Sequence, residues 1–222
     1  MKQIVHKLYH NLKFKKYHNI YKKFKSFTMI PREVYCANLE LCKKHSAISG
    51  YIVECGTWKG GMIGGIALML GQDRNYMLFD SFEGLPPARN IDGDIAMKWQ
   101  SNKTSTSYYD NCSAHEKFAH EAMKIAGAKR VSIVKGWFKD TLPKFFFEDE
   151  IAILRMDADW YDSTLEILNN LFPYVKKGGI IIIDDYYTWD GCSRAVHDYL
   201  SINKRTERIC SYRMGVCYIV KK

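Results

Sequence analysis

YIVECGTWKGG, Tyr51–Gly61, followed by MIGGIALML, Met62–Leu70, is the stretch that decides the fold. Tyr51–Cys55 is a short apolar strand, the glycines make a turn, and Gly60–Leu70 is an apolar helix. Tyr76–Phe79 reads as the next strand. A strand, a glycine turn and a helix followed by a second strand form a parallel crossover unit, and the pattern continues downstream. Strands are expected near Val131–Val134, Ile151–Leu154 and Ile180–Ile183, the last of these after a connection ending at Gly178–Gly179. Glu207–Cys210 and Val216–Val220 complete the set, and the final strand is expected to be antiparallel and at the edge. Helices are expected over residues 32–47, His115–Ala126, Ser163–Phe172 and Gly191–Leu200, with Ser163 and Glu166 as a capping box and Asp162 as a cap. The fold class is therefore α/β: a Rossmann-like, doubly wound sheet of about seven strands. Residues 81–113 are polar and turn-rich, and a loop of that length in a compact domain predicts an active-site lid.

In such sheets ligands bind beyond the carboxyl ends of the strands, so the strand ends are the residues to inspect. After the first strand, Gly56 and Gly60 allow close approach of backbone to ligand. The spacing is not G-x-G-x-x-G, and Glu54 before the first glycine would repel a pyrophosphate while favouring an aminoacyl ammonium. Asp80 ends the second strand, where a carboxylate can accept ribose hydroxyls. Together these point to an adenosyl ligand. The candidate cofactor-binding set is Glu54, Gly56, Thr57, Gly60, Asp80, Ser81, Gly136, Trp137 and Asp157.

Asp157, Asp159 and Asp162 follow the fourth strand, and Asp184 and Asp185 follow the fifth. Adjacent strands would gather these carboxylates around one pocket, where like charges need protons or a cation to neutralise them. An all-oxygen set favours Mg²⁺, with Mn²⁺ or Ca²⁺ as alternatives, and disfavours zinc.

The net charge of +9 is concentrated: residues 1–28 hold eight lysines and no acid, leaving about +1 for the rest. The body thus has no basic face for a phosphate backbone, and no nucleic-acid partner is expected. Ile4, Val5, Leu8, Tyr9 and Leu12 recur at helical spacing in this segment, and Tyr17, Ile20, Tyr21 and Phe24 continue it. The domain reading is a basic amphipathic extension over residues 1–30 and a catalytic domain over 31–222. Packing on the body, a homodimer contact, peripheral membrane contact and a largely disordered arm are the readings open for the extension. Seven scattered cysteines without a C-x-x-C pair, no leader-like start and no apolar run of membrane-spanning length predict reduced thiols in a cytoplasmic protein, at the inner face of the membrane if the extension docks there.

The strings VECGTWKGG (Val53–Gly61), LFDSFEGLP (Leu78–Pro86), GWF (Gly136–Phe138) with TLP (Thr141–Pro143), LRMDADWYDST (Leu154–Thr164) and DDY (Asp184–Tyr186) resemble the macrocin O-methyltransferase family. That resemblance implies the class I methyltransferase fold and an S-adenosylmethionine- and Mg²⁺-dependent methylation of a sugar hydroxyl. By motif it makes Asp157, Asp184 and Asp185 metal ligands and Asp159 the general base. It places Asp80 at the adenosyl ribose and Glu54 and Gly56 in the cofactor pocket. The expected acceptor is a sugar-containing small molecule or glycan precursor, as in polysaccharide biosynthesis. His197 is the alternative base, and Trp58, Trp137, Trp160, Tyr186 and Tyr187 are candidates to shape a ring-binding pocket. Rival readings are methylation of a catechol-like diol by the same metal chemistry, an RNA-binding or RNA-methylating protein using the basic arm, and a cofactor-binding protein without catalysis.

Overall fold

The structure is a computed structural model that describes residues 15–222. Seven strands form one sheet in the order β3-β2-β1-β4-β5-β7-β6. β1 (Tyr51–Cys55), β2 (Asn75–Asp80), β3 (Arg130–Lys135), β4 (Ile151–Met156) and β5 (Val175–Ile183) are parallel. β4 is buried at every position and pairs with β1 and β5, which fixes it at the centre. Its run of Ile, Ala, Ile and Leu is what a strand covered on both faces requires.

The last two strands differ from expectation. β7 (Cys217–Val220) is not the edge: it inserts between β5 and β6 (Ile209–Ser211), antiparallel to both. Cys217 and Ile219 are buried, so β7 needs sheet on both sides, whereas three-residue β6 makes a short, blunt edge. Glu207 lies outside the strand and pairs with Arg205 instead. β5 also begins earlier than its isoleucine run, because Val175 pairs with Ile151 before an irregularity at Gly178, whose φ is +82°.

Alternating residues of the strands feed two cores. Ile52, Leu78, Ile153, Ile180 and Ile182 face α2 (Arg32–Lys44), α3 (Gly61–Leu70) and α5 (Lys117–Ala126). Val53, Phe79, Leu154, Ile181 and Ile183 face α7 (Tyr161–Leu171) and α8 (Asp190–Ile202). Residues 15–24 form a helix, α1, whose Tyr17, Ile20 and Phe24 are buried in the first core together with Phe27. The basic segment therefore packs on the body over 15–27; its stripe Ile4, Val5, Leu8, Tyr9 and Leu12 lies outside the described residues.

Residues 81–113, the expected lid, are more structured than their composition suggested, with α4 (Asp94–Ser101) among them. Gln100 ties them together, accepting from Ala88 N–H at 2.6 Å and donating to Pro86 O and Asn111 Oδ1, both at 2.9 Å. The capping box on α7 does not form, because the helix starts at Tyr161 and places Asp162 and Ser163 inside its first turn. Asp162 pairs with Arg89 instead of capping the helix. The cap comes from the lid: Asp92 Oδ1 accepts the Tyr161 N–H at 2.7 Å. α6 (Phe138–Thr141) is a short turn of helix after β3.

Phe24 is fully buried against α3. Phe24→Ala should cost about 3–5 kcal/mol in denaturant unfolding if α1 belongs to the cooperative fold. A change within about 0.5 kcal/mol would mean that α1 contributes nothing to it.

Candidate active site

The strand order reverses between the parallel neighbours β1 and β4, and a cleft of about 1270 Å³ opens over the carboxyl ends of β1, β2, β4 and β5. The turn after β1 sets its floor. Gly56 has a φ of +80°, and a Cβ there would stand 1.6 Å from the Asp157 carbonyl oxygen. Only glycine lets the β1 and β4 ends approach this closely. Asp80 clamps the turn: Oδ2 accepts the N–H groups of Thr57 and Trp58, both at 2.7 Å, and Oδ1 that of Phe82 at 2.6 Å. Burial pushes the Asp80 carboxyl up, and the three amide donors oppose that shift. Ser81 Oγ closes the next turn, donating to Gly84 O at 3.0 Å.

Of the expected cofactor residues, Gly56, Asp80, Ser81, Gly136, Trp137 and Asp157 line the cleft. Thr57, Gly60 and Glu54 do not. Thr57 and Gly60 are buried in the turn, and Glu54 is 1% exposed with Oε1 accepting from Arg155 Nη1 at 3.1 Å. Glu54 thus sits within the sheet, facing a guanidinium rather than the space a cofactor would fill.

The ends of β4 and β5 bring the predicted carboxylates together. One oxygen from each of Asp157, Asp184 and Asp185 lies within 4.8 Å of the others. Burial and the Asp184 charge raise Asp157 to about 6; burial, together with Asp159 and Asp157, raises Asp185 well above the usual carboxylate range. Such crowding of oxygen donors fits a hard divalent cation and gives a soft one no purchase. Asp159 stands beside the three in a left-handed conformation, with φ +54°. Its N–H donates to Asp185 Oδ2 at 3.1 Å, and its Oδ1 accepts from Trp189 Nε1 at 2.9 Å. Burial and Asp157 push it to about 8. His197 is exposed on α8, outside the cleft, with Nε2 2.8 Å from the Tyr186 hydroxyl.

Three contributors escaped the sequence reading. Arg155 anchors Glu54, Asp157 and Asp184. A lone arginine inside the run IAILRM was a usable signal, since a buried guanidinium needs carboxylate partners. Trp189 holds Asp159, and Trp99 of the lid packs at ring-centroid distances of 6.0 Å from Trp189 and 6.2 Å from Trp160. No local pattern marks these two rings as neighbours. Trp58, Trp137, Trp160 and Tyr187 line the cleft as expected, and Tyr186 does not.

This strand order, with a cleft over the switch point and an acid at the end of β2, is the architecture of class I methyltransferases. The chain belongs to one family of them: residues 22–218 match Macrocin-O-methyltransferase (TylF). It is 34% identical over 161 residues to demethyldecarbamoylnovobiocin O-methyltransferase of Streptomyces niveus, covering 68% of this chain and 58% of that one. Mycinamicin III 3''-O-methyltransferase of Micromonospora griseorubida is 31% identical over 172 residues, covering 73% and 66%. The match thus spans less than two thirds of these relatives' length. Among solved structures, the O-methyltransferase NovP superposes with a TM-score of 0.71 at 28% identity, covering 88% of this chain and 82% of that one. The calicheamicin methyltransferase CalS11 shares the fold, with a TM-score of 0.64 at 19% identity over 93% and 91%.

If the cluster holds a cation, MgCl₂ should raise the melting temperature, by the equivalent of about 2.7 kcal/mol at a hundredfold excess over the dissociation constant. Asp185→Asn should lose that response while melting no lower than the parent in EDTA, since it relieves charge repulsion. A parent melting temperature indifferent to Mg²⁺ would contradict cation binding.

Proposed function

We propose that the chain is an S-adenosylmethionine-dependent O-methyltransferase that methylates a sugar hydroxyl on a glycosylated small molecule, with a divalent cation held by Asp157, Asp184 and Asp185. The observation that carries this reading is the Asp159 carboxylate, set beside an acidic triad in the cleft where this fold binds its cofactor. A further relative, 31% identical over 173 residues, supports the acceptor class, since its name, 8-demethyl-8-(2,3-dimethoxy-alpha-L-rhamnosyl)-tetracenomycin-C 4'-O-methyltransferase, gives a rhamnosyl-bearing acceptor.

When bound, the cofactor supplies a methyl group on a sulfonium leaving group, and the cation supplies charge that acidifies an acceptor hydroxyl and Asp159 itself. The chain supplies position and a base. Gly56, Asp80, Gly136 and Trp137, which line the cleft, would hold the cofactor, with Asp80 toward its ribose. Asp159 takes the hydroxyl proton on Oδ2, because Oδ1 is already engaged by the Trp189 indole. Trp160, only 2% exposed, fixes the lid by donating from Nε1 to Pro86 O at 2.9 Å. Asp92 caps α7 from the same lid, so lid and base are braced against one helix end. Arg89, Asp162 and Tyr187 line the cleft with these residues, where an acceptor would lie. All seven cysteines are unpaired, which supports a reducing, cytoplasmic setting, and among the described residues no helix is long and apolar enough to cross a membrane.

Incubation with methyl-labelled S-adenosylmethionine tests this reading, with neutral glycosides and catechol as acceptors, in Mg²⁺ or in EDTA. Label should enter a sugar hydroxyl, disappear in EDTA and return with Mg²⁺. Asp159→Asn should lower kcat by about 10²–10⁴-fold, with cofactor binding retained. Transfer to catechol alone would overturn the acceptor class; full activity in EDTA would overturn the cation.

A further inference from the structure

Arg155 is a charged side chain in the middle of a covered parallel sheet, 1% exposed. Its register neighbours are Glu54 on β1 and Ile182 on β5. A guanidinium in such a place is tolerated only if paired, because stripping its water is costly. The pairing is unusually specific. Nη1 donates to Glu54 Oε1 at 3.1 Å and to Asp157 Oδ2 at 3.0 Å. Nη2 lies 2.6 Å from Asp184 Oδ1, in charge contact but out of line for a hydrogen bond. The third carboxylate, Asp185, has Oδ2 taken by the Asp159 N–H at 3.1 Å. Each of the three clustered aspartates therefore has one oxygen engaged by the chain itself and one left over.

We infer that Arg155 is the positioning residue of the cation centre: by engaging one oxygen of Asp157 and one of Asp184 from beneath, it limits each to a single donor and so selects Mg²⁺ or Mn²⁺ over Ca²⁺. The inference rests on the cation reading above. Mg²⁺ accepts few protein oxygens and keeps several waters, whereas Ca²⁺ takes six to eight oxygens and readily uses both of a carboxylate. Three single oxygens suit the first ion and starve the second. Lysine could not do this, since a single ammonium is a point charge, while the planar fork faces two carboxylates at once. Glu54 is the other half of the device. It holds the fork from the β1 side, and its Oε2, like Arg155 Nε, is buried without a hydrogen-bond partner among the described residues. Charge alone predicts the opposite outcome, because a guanidinium beside the cluster repels any cation, so its loss would tighten all ions alike.

Titration calorimetry of the chelator-stripped full chain with MgCl₂, MnCl₂ and CaCl₂ separates the two. The parent should bind Mg²⁺ and Mn²⁺ more tightly than Ca²⁺. Arg155→Lys keeps the charge but not the fork, and should weaken Mg²⁺ and Mn²⁺ about tenfold. Ca²⁺ should weaken less or not at all, so the discrimination collapses. Equal changes for all three ions, or none, would overturn the inference while leaving the cation reading intact. If Arg155→Lys does not fold, Glu54→Gln decides alone: it loosens the anchor without touching a ligand, and should lower the Mg²⁺-to-Ca²⁺ ratio in the same direction by a smaller factor. An unchanged ratio in that variant would overturn the inference. A parent that binds none of the ions would overturn the cation reading, and the inference with it.

Discussion

The guanidinium of Arg155, sealed between β1, β4 and β5, is the interaction on which the rest of the site depends. Glu54 on β1 and Asp157 and Asp184, just past the ends of β4 and β5, all meet this one guanidinium, the first two at Nη1 and the third at Nη2. Without a shared cation these carboxylates would repel one another across the centre of the sheet. With it, the register that pairs Glu54 with Arg155 also sets where β4 and β5 end, and so where the acids emerge into the cleft. The balance is incomplete, since one guanidinium serves five carboxylates if Asp159 and Asp185 are included. The surplus negative charge is directed upward into the cleft, where a divalent ion would complete it.

The second constraint comes from above. Asp92 and Trp99 of the lid meet the start of α7 and the ring of Trp189, and Trp189 holds Asp159. The proposed base is thus gripped between a floor fixed by buried charge and a roof fixed by aromatic packing. Its left-handed backbone, unusual for a residue other than glycine, is stabilised by the bonds at both ends of the residue.

What the sequence made legible was periodicity and strand ends. The isoleucine run before Asp184 and the glycine turn before Gly61 carry their own structural signature, and the rule that ligands gather beyond strand ends led to the acidic triad. Edge order was not legible, because Val216–Val220 reads as a strand whether it sits inside or outside Glu207–Cys210. Nor was the α7 cap, which joins residues 69 positions apart and displaces the local Ser163–Glu166 pattern. Glu54 misled because an acid before a glycine turn suggests a ligand contact; the strand pairing that turns it toward Arg155 is a long-range fact. Membership of the macrocin-O-methyltransferase family came from ordered strings, and these lie on the strand ends rather than on the lid.

The most direct test of the cation centre is a crystal grown with S-adenosylhomocysteine and MnCl₂, with data collected at a wavelength where manganese scatters anomalously. One strong anomalous peak is expected among Asp157, Asp184 and Asp185, on the side away from Arg155, with S-adenosylhomocysteine in the cleft beside it. Clear density for S-adenosylhomocysteine with no peak at the three aspartates, or with the ion elsewhere, would contradict it.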